Sequence, residues 1–152
     1  MTVRLSTFLR TGLAGTIGFT TAFTNGVIEV YSGSQPADAN SAVTGTLLGT
    51  ITLASGAFTA GVATNGLTWA AAAAGVASKT GVWSMNGIAT GTAGWFRLKG
   101  NPVDAGAAAD TTHYRLDGSV ATSGADLNLS NISIVSGTPV TVDSFSFTIP
   151  SA

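Results

Sequence analysis

The sequence predicts an all-β fold, a β-sandwich or jelly-roll-like barrel, preceded by an N-terminal helix or extended arm. Three observations carry this expectation. From Gly26 onward, apolar residues recur at the spacing of two that marks a half-buried strand. These runs are short and are separated by Gly-, Asn- and Asp-rich breaks, the rhythm of a sandwich or barrel rather than of βαβ units. Between the apolar positions stand Thr, Ser, Gly and Ala, which favour strands and turns over long helices.

The chain of 152 residues suits one core. We divide it into a helix or arm over 1–25 and a β domain over 26–152. In the first part Leu5, Phe8, Leu9, Leu13 and Ile17, with Phe19 or Phe23 to extend them, fall at mostly three- and four-residue spacings, one apolar stripe of a helix across 5–23. Gly12, Gly15 and Gly18 each weaken such a helix by about 1 kcal/mol relative to Ala, so it needs tertiary or partner contacts. Asn25-Gly26 ends it, Gly26 being suited to a left-handed cap.

Over 27–31 the period becomes two, with Val27, Glu29 and Tyr31 on one face and Ile28 and Val30 on the other. "YSGSQP" closes this strand: Ser32, Gly33 and Ser34 turn the backbone, and Pro36 restricts Gln35 to extended forms. Further strands are expected at 46–53, 57–62, 66–71, 80–89, 94–99, 111–116, 119–122, 131–135 and 140–149. Asp117-Gly118 reads as a tight hairpin turn between two of these. The run from Trp69 to Gly81 reads as loop or strand in spite of its five alanines. In the last strand Val140 and Val142 share one parity and Phe145, Phe147 and Ile149 the other, which predicts a bulge or a bend near Asp143-Ser144 and leaves the strand able to change partners along its length.

Composition narrows function. The chain is 45% hydrophobic but 9% charged, where ordinary soluble domains carry about 25%. So few charges suggest that part of the surface is covered in an assembly. A formal net charge of -1 offers no basic footprint, so nucleic acid is not an expected partner. The N-terminal run is too polar for a membrane span and reads as part of the mature protein. Without Cys there are no disulfides, thiolate metal sites or Cys nucleophiles.

No enzyme signature emerges, and no cofactor or metal is expected. His113, the sole histidine, has Asp110 and Asp117 nearby but no serine in a nucleophile elbow. The acidic residues are scattered, "NPVDAGAAAD" is too sparse for a Ca²⁺ loop, and one His without Cys does not make a usual zinc site. "GLAGTIG" and "GTAGWFRLKG" both lack the pattern of a phosphate cradle. Trp69, Trp83 and Trp95 suggest either buried area or a sugar-stacking platform. In "GWFRLKG", Trp95, Arg97 and Lys99 share one face, read as an outer surface or interface, while Phe96 and Leu98 fill the core.

"IEVYSGSQPADANSAVTGTLLGTITL", "GTAGWFRLKG", "DGSV", "GADLNLSNISIVSGTPVTVDSF" and a short "TIP" end, in this order, resemble a family of small virion structural proteins encoded by tailed bacteriophages and prophages. The resemblance spans Gly26 to Pro150 and carries no catalytic motif. It implies a particle component, first a capsid decoration or cement protein on the outside of the major capsid protein shell. It also implies a homo-oligomer, a dimer or trimer, and leaves as the alternative a tail, baseplate or fibre-associated β module with carbohydrate or receptor binding. The protein would be made in the bacterial host cytoplasm and reside in the virion, with the major capsid protein or other virion proteins as partners. Candidate interface residues are Leu5, Phe8, Leu9, Arg10, Trp95 and Arg97.

Overall fold

The computed structural model describes residues 3–149. Pro150 of the "TIP" end lies outside the described residues. The chain begins with β1 (Arg4–Leu5), α1 (Thr7–Gly15) and α2 (Phe19–Ala22), followed by β2 (Val27–Ser32) and β3 (Leu47–Leu53). Next come β4 (Thr68–Trp69), β5 (Val76–Thr80), β6 (Trp83–Asn86) and β7 (Gly91–Lys99). The last four strands are β8 (Arg115–Ala121), β9 (Leu127–Leu129), β10 (Ser133–Ile134) and β11 (Pro139–Thr148).

Seven of these strands close into a barrel in the order β2, β3, β6, β11, β9, β8, β7 and back to β2. All neighbours in the ring are antiparallel except β8 and β9, which run parallel. Closure removes the exposed edges that invite strand-to-strand aggregation. β1 lies beside β8, β10 beside the start of β7, and β5 and β4 extend the sheet from β11. The fold is thus the expected all-β barrel with an N-terminal helix.

Alternation fills the barrel. Ile28 and Val30 of β2, Phe96 and Leu98 of β7, and Leu116 and Val120 of β8 point into one apolar core with Leu48, Ile51, Trp83, Met85 and Phe145. α2 helps to close it, with Phe19 stacked on Phe147 at 4.2 Å and set edge-on to Trp69 at 5.3 Å. Trp69 and Trp83 meet edge to face at 4.9 Å.

The N-terminal stripe is helical, but as two pieces. Ser6 is extended and its Oγ accepts from the Leu9 N–H at 3.2 Å, which caps α1. The helix then breaks at Thr16, Ile17 and Gly18, where the glycines and β-branched residues lower helix propensity. Leu5 belongs to β1. The left-handed residue after α2 is Asn25 (φ 57) and not Gly26. Gly26 is needed for a different reason, since a Cβ there would lie 2.2 Å from the Lys99 carbonyl oxygen.

Asp117-Gly118 is no turn: β8 runs unbroken from Arg115 to Ala121. Asp117 is held by an arginine on β7, and a Cβ on Gly118 would sit 2.7 Å from the Phe96 ring. The tight turn signal is overridden by a buried charge pair and a ring that needs the space. Residues 57–62 form loop rather than strand, and β5 and β9 are strands that periodicity does not single out. β11 does change partners, pairing with β6, then β9, then β5, with a register shift between Val142 and Ser144.

Candidate functional site

The outward face of β2, β7 and β8 is also buried. It presents Glu29 and Tyr31 from β2, Trp95, Arg97 and Lys99 from β7, and Arg115, Asp117 and Ser119 from β8. Two connections, 33–46 and 100–114, lie across it and are fastened by the cations beneath them. Arg97 donates to both oxygens of Asp117 at 2.7 Å and to the Ser41 carbonyl at 2.9 Å. Arg115 forks onto Asp104 at 2.7 and 2.5 Å and reaches the carbonyls of Asn40 and Ala108. Lys99 bonds Glu29 at 2.6 Å and the Asp104 carbonyl at 2.7 Å, and Arg4 donates to the Pro36 carbonyl.

These pairs absorb three of the six cationic residues and three of the seven carboxylates of a chain already poor in charge. Buried guanidinium groups need every donor satisfied, and loop carbonyls supply what the carboxylates do not. Burial pushes the Asp117 carboxyl up, against the pull of Arg97. The Asp104 carboxyl is held below its usual range because hydrogen bonds from Arg115 and the Gly106 N–H outweigh its burial. Tyr31, buried and donating to Glu29 at 2.7 Å, is pushed well above an ordinary phenol.

At the edge of the 100–114 connection, Asp110 Oδ2 sits 2.6 Å from His113 Nδ1, and Asp110 Oδ1 accepts from the N–H and Oγ1 of Thr112. Those bonds, the Thr112 ones foremost, hold the Asp110 carboxyl well below the usual range. Asp104, Asp110 and His113 are close enough to share an ion. The carboxylate oxygens, however, already have protein donors: Arg115 takes both oxygens of Asp104 and stands 3.9 Å from Asp110, where a metal would have to displace it, and Thr112 donates to Asp110. The arrangement fits an ion-pair network better than a metal centre. As a catalytic dyad it lacks a partner, because the hydroxyl beside it, Thr112, donates to Asp110.

Against α1 the same connection forms a pocket of about 330 Å³, walled by Phe8, Pro102 and Tyr114 and reached by Asp104, Thr112 and His113. Phe8 is 39% exposed and tilts against Tyr114 with ring centres 4.7 Å apart.

Among the expected interface residues, Phe8 and Arg10 are exposed on α1, Leu5 is partly covered in β1, and Leu9 is fully buried beneath α1. Trp95 and Arg97 do share a face, but it is no open surface: they are 1% and 0% exposed under the two loops, with Trp95 stacked on Tyr31. With Trp83 in the core and Trp69 packed against it, the three tryptophans form no sugar-stacking platform. Sequence reasoning missed Glu29, Lys99, Asp104 and Arg115 as a connected set. The retrievable signal was the alternation of Arg97 with Lys99 and of Arg115 with Asp117 inside otherwise apolar strands.

No family model, curated protein or solved structure matches this chain.

Proposed function

We propose that the protein is a structural component of a tailed-phage virion, a decoration or cement protein attached to the outside of the major capsid protein shell. One observation carries the reading: the fold places six of its thirteen charged side chains in pairs beneath its own loops, tying them down, and leaves an outer surface of Thr, Ser, Gly and Ala studded with exposed apolar side chains. Phe8, Val62, Val82, Ile88, Val103 and Ile149 are among these. A freely diffusing domain usually interleaves both signs of charge across its surface, whereas exposed apolar groups suit contact with neighbours. The resemblance of "GTAGWFRLKG" and "GADLNLSNISIVSGTPVTVDSF" to phage particle proteins supports the same reading.

The mechanism is adhesion. A closed barrel with pinned loops presents a rigid surface, so little ordering entropy opposes binding. Each copy placed across a junction between capsid subunits adds contacts that must be broken before the shell opens. Particles lacking the protein should lose infectivity faster on heating or osmotic shock, and added purified protein should restore it. Unchanged resistance would contradict a cementing role and favour a tail or baseplate position.

A further inference from the structure

We infer that the pocket beside α1 is a socket for an aromatic ring bearing an O–H or N–H donor, the side chain of a Tyr or Trp on the protein to which this chain attaches. The inference rests on the proposed role in a particle for its partner, and on the pocket alone for its chemistry.

The walls select a ring. Phe8, Tyr114 and Pro102 enclose about 330 Å³, and Phe8 and Tyr114 meet at a 40° tilt that leaves ring faces and edges open to a third aromatic group. Phe8 keeps 39% of its surface exposed, so apolar area of the pocket wall is uncovered in the isolated chain. A pocket of this size, largely apolar with a few convergent polar groups, is the usual form of a binding site.

The polar groups select the donor. The Asp110 carboxylate accepts from Thr112 twice and faces His113 Nδ1 at 2.6 Å, so Nδ1 carries the proton. In the neutral imidazole that leaves Nε2 as an acceptor. Asp104 also borders the pocket, but Arg115 occupies both of its oxygens. An anionic occupant would face the Asp104 carboxylate, and a cationic one would compete with Arg115. An uncharged ring with one donor meets neither objection. Tyr and Trp are also the residues that most often anchor protein interfaces in such pockets.

The test is an NMR titration of the full chain with N-acetyl-tyrosine amide and, as the ring without a donor, N-acetyl-phenylalanine amide. The tyrosine compound should shift the signals of His113, Tyr114 and Phe8 saturably. The phenylalanine compound should bind about fivefold more weakly, the worth of one hydrogen bond. His113→Phe should erase that difference, and Phe8→Ala should weaken both compounds. Equal binding of the two compounds by the unaltered chain would overturn the donor role, and no shift at these residues up to the solubility limit would overturn the socket. Because the titration uses the isolated chain, finding the protein absent from virions would remove the capsid as partner without touching this result.

Discussion

At the scale of single residues, stability turns on Arg97 and Asp117, joined by two bonds of 2.7 Å with neither side chain exposed. Removing one member leaves the other charged, buried and unpaired, which costs about 3–5 kcal/mol. Asp117→Ala should therefore lower the unfolding free energy by that amount in urea titrations. The double replacement Arg97→Met with Asp117→Leu should recover most of the loss, because two apolar groups leave no charge behind. Asp104 makes a pH prediction. Its folded-state pKa is depressed below the unfolded value of about 3.9, so its contribution is present above that value and is lost as pH falls through the folded one. Wild type should lose stability relative to Asp104→Asn between about pH 5 and pH 2. A constant difference across that window would contradict the assignment. The sequence made the parity of Trp95, Arg97 and Lys99 legible and hid their burial, because nothing local shows that a loop 56 residues away will fold over a strand face.

At the scale of elements, β8 is the instructive case. Asp-Gly between alternating residues is a strong hairpin signal, yet Asp117 is wanted for its charge and Gly118 for its missing side chain. Gly118→Ala would force a methyl against the Phe96 ring, 2.7 Å away. It should destabilise the protein by about 1–3 kcal/mol, the usual cost of overpacking, whereas Ala at a surface turn would have left the core untouched. A true tight turn lies in the alanine run: Ala73 and Val76 exchange backbone bonds around Ala74 and Gly75, both at positive φ (50 and 77). Asn or Gly is the usual residue at Ala74's position. Ala74→Asn should raise stability by about 0.5–1 kcal/mol, seen as a higher thermal midpoint. The bulge and partner change of β11 were legible because apolar residues that switch parity within one strand require a bulge or a bend to keep facing the core. β9 and β5 were not, since three to five residues with mixed polarity carry too little pattern to separate strand from loop.

At the scale of the whole molecule, ring closure and charge placement act together. The seven-stranded barrel leaves few free edges, and pairing six of the thirteen acidic and basic side chains beneath its loops leaves an outer surface dominated by small polar and apolar groups. Composition alone showed the shortage of charge, but it could not show that the charges present would be placed inside. As a result the surface is poorer in charge than the 9% overall content indicates. Association through such a surface depends little on ionic strength, because screening acts on exposed charges. Binding of the purified protein to particles that lack it should stay within about twofold between roughly 0.05 and 0.5 M salt, as read by co-sedimentation. The candidate socket beside α1 was only partly foreshadowed: Phe8 stood in the apolar stripe and His113 drew attention as the sole histidine, but nothing in their spacing brings them to one pocket.

The most direct measurement is electron cryo-microscopy of phage particles carrying the labelled protein. A decoration role predicts density for the barrel at regularly repeated positions on the outer capsid surface, with the α1 face turned toward the shell. Intact, stable particles from which the chain is absent, with the protein recovered only as a free monomer, would contradict it.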